Sequence, residues 1–68
     1  MRVRINDTIY NADFVTHNGS ALHISIPSYH LFVVIDAVSE NDAKTLFDQI
    51  LVSGYCDVNK YCYAIQQI

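Results

Sequence analysis

The pattern of apolar and polar positions is clearest between residues 39 and 54, where it has the period of an amphipathic helix. Apolar side chains recur there at the i, i+3, i+4, i+7 spacing that places them on one helical face, at Ala43, Leu46, Phe47 and Ile50. Ser39 is placed to cap the first turn, and Gly54 stands where helices commonly end in a left-handed residue. The pattern therefore predicts an α-helix over residues 40–53.

Alternation with a period of two predicts strands before this helix, over residues 2–5, 8–16 and 21–26. The dipeptide Asn18-Gly19 readily adopts the positive φ values of a two-residue hairpin turn. A turn centred on these two residues places Thr16 opposite Ala21. We therefore predict a hairpin between the second and third strands.

The segment 29–37 is the strongest strand prediction, because apolar residues occupy both of its alternating faces. Residues 55–65 are predicted to be either one strand or a hairpin. A helix over 40–53 spans about 21 Å, enough to return the chain across a sheet, so residues 30–65 are predicted to form a right-handed βαβ unit. The predicted fold class is α+β: a small antiparallel or mixed sheet of four to five strands, with one helix packed on one face and the order β-β-β-β-α-β.

Length and composition restrict the classes of protein. The 68 residues, 51% of them hydrophobic, indicate one folded domain over 1–68, which buries only about 60% of its unfolded surface. The net charge of −3 and only four basic residues do not give the positive surface that direct nucleic-acid binding needs. There is no signal-peptide pattern and no apolar run of about 18 residues, so no membrane association is expected and a cytoplasmic location is the default.

The candidate chemistry is limited to two cysteines and three histidines. Cys56 and Cys62 would lie about 20 Å apart in one continuous strand, which excludes a disulfide. If residues 58–60 formed a loop instead, the two cysteines would be neighbours, and a disulfide or a shared metal would be conceivable. The spacing of the histidines, which are His17, His23 and His30, matches no zinc pattern. We therefore expect reduced thiols, no metal, no cofactor and no enzymatic activity.

Apolar sheet surface is in excess of what one helix can cover. The strand over 30–37 has apolar residues for both faces, and a continuous last strand would add Tyr55, Tyr61 and Tyr63 on one side. An uncovered apolar face marks an interaction site, and tyrosine is enriched in interface cores. We therefore expect this face to bind another chain, most simply a second copy as a homodimer. Alternatively, the N-terminal hairpin folds over it and closes a small sandwich or barrel.

Acidic residues cluster near the predicted start of the helix. They serve capping and solubility, or they form an acidic knob beside an aromatic surface that docks onto a basic groove of a partner. The second arrangement would suit an inhibitor of a nucleic-acid-handling complex. The predicted partner-binding residues are Asp36, Glu40, Asp42, Tyr55, Tyr61 and Tyr63.

The segment Phe32–Ala43 runs from a hydrophobic strand into an Ala-x-Ser-x-x-x-Ala helix start, and Gly54-Tyr55 begins the next strand. Over about residues 31–65 this arrangement resembles very small phage proteins, including phage-encoded inhibitors of host RNA polymerase and some anti-CRISPR proteins. The resemblance implies a compact non-enzymatic protein that works in the host cytoplasm. There it would bind and inhibit, or modulate, a host protein complex. The alternative is a small structural or assembly subunit that self-associates through its sheet.

Overall fold

A computed structural model of the chain describes residues 1–67. Within that range the chain forms seven strands and one α-helix, in the order β1 (Arg2–Ile5), β2 (Thr8–Asn11), β3 (Phe14–Asn18), β4 (Ala21–Ile26), β5 (Leu31–Asp36), α1 (Glu40–Ser53), β6 (Tyr55–Asp57) and β7 (Cys62–Gln67). Single 3-10 turns occupy Pro27–Tyr29 and Val58–Lys60. The predicted α+β class is confirmed, with strands on both sides of one helix.

The strands form two sheets instead of the one sheet predicted. One sheet has the order β2-β1-β6, and the other has the order β3-β4-β5-β7. The predicted βαβ unit between β5 and the last strand is wrong, because β7 pairs with β5 in the antiparallel direction. The parallel partner of the strand that follows the helix is β1 instead.

The predicted strand over 8–16 divides at Ala12 and Asp13, where the chain passes from one sheet to the other. The Ala12 N–H donates to the Met1 carbonyl at 2.8 Å, and the Asp13 N–H donates to the Ser25 carbonyl at 2.9 Å. Successive amides therefore pair with different sheets, and the small side chain of Ala12 is buried between them. The amide hydrogen bonds stay satisfied while the strand changes direction.

Residues 55–65 divide in the same way, so neither the continuous strand nor the hairpin is found. The Val58–Lys60 turn separates β6 in the three-stranded sheet from β7 in the four-stranded sheet. The Asn59 side chain accepts a hydrogen bond from the Asn6 N–H at 3.0 Å and donates one to the Asn6 carbonyl at 3.1 Å. This pair of bonds joins the turn to the β1–β2 hairpin, while Val58 is fully buried beside it.

The helix has the bounds that its capping residues predict. The Ser39 hydroxyl accepts a hydrogen bond from the Asp42 N–H at 3.1 Å. At the other end Gly54 has φ 68°, and its N–H donates to the Ile50 carbonyl at 2.8 Å. The predicted apolar face is confirmed as the packed face, with Ala43, Leu46 and Ile50 buried and Phe47 half-buried.

The β3–β4 hairpin is present, but its predicted register is wrong by two residues. Thr16 pairs with His23, and Gly19 and Ser20 form the two-residue turn. Gly19 occupies the first position of that turn and has φ 59°. A type II′ turn has glycine at this position, because φ is positive there. Because side chains alternate with a period of two, a shift of two leaves each one on its predicted face.

One hydrophobic core lies on a single face of the four-stranded sheet, which we call the inner face. Helix α1 and the three-stranded sheet both pack on it, so the N-terminal hairpin shares the covered face with the helix. The fully buried residues of the inner face are Leu22, Ile24, Ile26, Val33 and Ile35. The opposite face, which we call the outer face, contributes no residue to the hydrophobic core found in residues 1–67.

No helix in the part of the chain that the structure describes has both the length and the apolar character needed to cross a membrane.

Candidate interaction site

A groove with a volume of about 680 Å³ runs between helix α1 and the segment that follows it. One wall is the polar side of the helix, from Thr45 to Val52. The other wall is formed by β6 and the turn after it, with Tyr55 and Tyr61 as the largest side chains. Its floor includes the core residues Leu46 and Ile50, so the groove opens directly onto packed apolar side chains.

A second depression of about 350 Å³ continues the groove toward the start of the helix. The two depressions share Leu46, Lys60 and Tyr61 in their linings, so Tyr61 stands between them. Exposed apolar side chains lie toward both ends, with Val38 89% and Val52 91% exposed. We refer to the two depressions together as the acidic groove, for the charges described next.

Carboxylates outnumber cations along the acidic groove. Its acidic residues are Asp36, Asp42, Asp48 and Asp57, and its one basic residue within 1–67 is Lys60. Arg4 forms an ion pair with Asp57 at 3.5 Å, but it is not part of the lining. The lining therefore carries a net negative charge beside apolar surface.

Cys56 lies at the floor of the groove and is only 3% exposed. Burial, together with the negative charge of neighbouring Asp57, raises the pKa of the Cys56 thiol from 9.0 to about 11. The thiol is therefore protonated at neutral pH, and Cys56 supplies apolar floor instead of a nucleophile.

A tight and strained turn directly precedes the start of helix α1. The Ser39 N–H donates to the Ala37 carbonyl at 2.8 Å, which closes a γ-turn around Val38 at φ 73°. A β-branched residue with positive φ is a genuine outlier. The Val38 N–H donates to the Asp36 side chain at 3.0 Å, which holds the turn and leaves the Val38 side chain in solvent at the groove.

The structure brings together four of the six residues that were predicted to bind a partner. Asp36, Asp42, Tyr55 and Tyr61 all line the acidic groove. Glu40 is exposed in the first turn of the helix but lies outside the groove lining.

Tyr63 does not share a surface with the other tyrosines. It lies on the inner face opposite Ile35 and packs half-buried against the core. The expected single tyrosine face is therefore wrong, because the 58–60 turn divides the last segment between two sheets. Two carboxylates of the alternative acidic knob, Asp36 and Asp42, line a concavity.

Sequence reasoning missed several residues of the groove, chiefly Val52, Asp57 and Lys60. One signal was present, since Val52 is an apolar residue on the same helical side as Asp48. Nothing in the local pattern indicated Asp57 and Lys60, because their position depends on where the 58–60 turn docks.

The outer face of the four-stranded sheet is the second candidate surface. Phe14 is 59% exposed there, while Phe32 and Val34 are half-buried. The rings of His23 and Phe32 lie 5.3 Å apart and shield each other in part. Its exposed residues also include the polar Thr16 and Gln66, so this surface is mixed in character.

The remaining candidate chemistry is dispersed through the fold. Cys56 and Cys62 are both free thiols, one buried in the core and the other exposed on a different sheet. Among residues 1–67, no group of three or more His, Cys, Asp or Glu side chains is arranged to hold a metal ion.

Comparison of the chain with protein-family models, with curated proteins and with solved structures finds no match.

Proposed function

We propose that this chain is a non-enzymatic protein-binding module whose acidic groove takes a basic segment of a partner protein. Through that contact it inhibits or modulates the complex to which the partner belongs. The observation that carries the proposal is the lining of the groove, where four carboxylates and exposed apolar side chains lie along two adjacent depressions.

The shape of the groove defines what the partner presents. A concave surface accepts a projecting loop, strand end or helix, whereas the predicted acidic knob would have required a concave partner. The carboxylates favour Lys and Arg on that segment, since complementary charge speeds association and selects the partner. Lys60 adds one cation, so the expected segment is basic without being uniformly positive.

The apolar residues of the groove supply most of the binding free energy in this proposal. Tyr61, which lines both depressions, is a residue type at which binding energy concentrates in interfaces. Val38 and Val52 offer exposed methyl groups that a partner would remove from water. The exposed carboxylates contribute less, because solvent and salt screen them.

The more specific form of the proposal is a phage-encoded accessory protein that acts on a host complex. It is supported by the resemblance of residues 31–65 to small phage inhibitors and by the charge of the groove. Proteins that handle nucleic acids carry Lys- and Arg-rich surfaces. An acidic groove is complementary to such surfaces, so a nucleic-acid-handling complex is the class of target we propose.

A displayed library of random peptides tests the proposal. We expect the wild-type protein to enrich peptides that combine Lys or Arg with an aromatic or branched aliphatic residue. Tyr61→Ala should weaken the best peptide by about tenfold, and Asp48→Asn by about threefold at low salt. Asp48 makes no hydrogen bond or ion pair through its side chain among the bonds found in residues 1–67, which makes it a clean site for removing charge.

Glu40→Gln is the matched control, because Glu40 is an exposed helical carboxylate outside the groove lining. It should leave peptide affinity within about twofold of wild type. The proposal fails if no basic peptide is enriched, or if Glu40→Gln weakens binding as much as Asp48→Asn does.

The second candidate function is a structural or assembly subunit that self-associates through its sheet. It is favoured by the outer face, where Phe14 is exposed and Phe32 and Val34 are half-buried. An assembly subunit should form closed oligomers larger than a dimer in light scattering. A protein-binding module should remain monomeric or dimeric.

A further inference from the structure

Strand β7 lies at one edge of the four-stranded sheet and exposes an unprotected row of backbone groups. One of its sides pairs with β5 along all six residues, Cys62–Gln67, and no strand of residues 1–67 pairs with the other side. The strand contains no charged residue, proline or glycine. Natural proteins usually protect such edges with lysine, proline, a bulge or a covering element.

The other three edges of the two sheets are shorter or obstructed. On β6, which has three residues, the Ser53 hydroxyl accepts from the Tyr55 N–H at 3.3 Å and donates to the Tyr55 carbonyl at 3.1 Å. Strand β2 has four residues. Strand β3 has five residues, one fewer than β7. The longest open edge of the described chain is therefore β7.

The side chains of β7 suit a second copy of the same strand. Ile65 remains 41% exposed although it pairs with the buried Val33, so an added strand would cover apolar surface. The chain carries a net charge of −3, and two copies would repel each other at the acidic groove. At β7 they meet without opposing like charges.

We propose that two copies of this chain pair antiparallel through β7 about a two-fold axis, which joins their four-stranded sheets into one. Such an interface uses the same strand from each copy and closes at the dimer. Head-to-tail pairing of β7 with β3 of the next copy would instead continue into rings or fibres. This proposal concerns a different surface from the acidic groove and does not depend on peptide binding there.

Light scattering coupled to size exclusion, from low micromolar to millimolar protein, tests the pairing. We expect the mass to rise with concentration from 7.7 kDa to twice that value. Ala64→Lys should weaken association by about tenfold, because antiparallel self-pairing brings the two introduced lysines close together. Thr16→Lys is the matched control, since Thr16 is exposed in the same cross-strand row at the opposite edge of the sheet.

Thr16→Lys should leave association within about twofold of wild type. A wild-type protein that stays at 7.7 kDa up to millimolar concentration would overturn the proposal. A loss of association in Thr16→Lys equal to that in Ala64→Lys would also overturn it, in favour of head-to-tail pairing.

Circular dichroism checks that the variants fold, and Gln66→Lys repeats the test at a second exposed position of β7. Amide exchange of the wild-type protein gives a readout that needs no variant. The β7 amides should exchange more slowly as concentration rises while those of β3 do not change. If the β7 amides exchange equally fast in the monomer and in the dimer, the result contradicts the proposal.

Discussion

Along β5, neighbouring side chains alternate between two different surroundings. Val33 points into the core and has no exposed surface, whereas Val34, the same amino acid one position later, is only half-buried. The inner face is covered by helix α1 and by the three-stranded sheet, whereas the outer face contributes no residue to the hydrophobic core found in residues 1–67. Hydrophobicity alone therefore does not distinguish the two faces, because a face becomes core only where another element reaches it.

The largest expected effect is a difference in unfolding free energy between truncations on the two faces. Ile35→Ala should cost about 3 kcal/mol, since it leaves a cavity at a fully buried position. Val34→Ala, on the outer face one residue away, should cost about 1 kcal/mol. Urea unfolding measures both losses.

Ile35→Val leaves a smaller cavity, and it replaces Ile35→Ala in the measurement if that variant does not fold in a chain of this size. Equal losses from Ile35→Ala and Val34→Ala would show that the outer face is packed as tightly as the inner one, and the comparison between the faces would be wrong.

An intermediate effect on the unfolding free energy comes from pH, because the core contains the buried thiol of Cys56. The pKa of Cys56 rises from 9.0 to about 11 in the folded protein, so the folded state holds its proton more tightly than the unfolded state. The contribution of the protonated thiol to the unfolding free energy is fully present below pH 9, and it is lost as pH rises toward 11. The loss should be about 2 kcal/mol by linkage.

Cys56→Ala is the control for this pH dependence, and it should flatten the profile between pH 9 and 11. Urea unfolding at several pH values measures the change. An unchanged slope in Cys56→Ala would assign the pH dependence to other groups.

The smallest expected effect is a polar substitution on the outer face. Phe14→Gln should change the unfolding free energy by no more than about 0.5 kcal/mol, because Phe14 is 59% exposed and is not part of the core. Thermal unfolding at low protein concentration, where copies are separate, measures this. A loss above about 1.5 kcal/mol would show that Phe14 packs against the fold in a way that its exposure does not indicate.

Local structure was predictable wherever a few neighbouring residues decide it. The bounds of α1 follow from Ser39 and Gly54, and its buried face follows from the spacing of Ala43, Leu46 and Ile50. The β3–β4 hairpin was also predictable, although its register was not. Placing the turn one residue later along the chain changes the cross-strand pairs while it keeps every side chain on the same face.

The acidic groove was predictable only in part. Asp36, Asp42, Tyr55 and Tyr61 stood out by residue type and by their closeness to the helix start or the last strand. Asp57 and Lys60 reach the groove because Asn59 joins the 58–60 turn to Asn6, a partner 53 positions away along the chain. A contact at that distance in sequence leaves no periodic signal.

By itself, the sequence determined the α+β class, the helix with both of its ends, and the alternation that gives each strand its two faces. These properties depend on backbone propensities, capping and periodicity within a few residues. The tertiary structure alone decided that there are two sheets, that both the helix and the smaller sheet cover the same face, and that the carboxylates line a groove. Those outcomes depend on which distant segments bury the most apolar surface while keeping their backbone amides paired, as Ala12 and Asp13 do with different sheets.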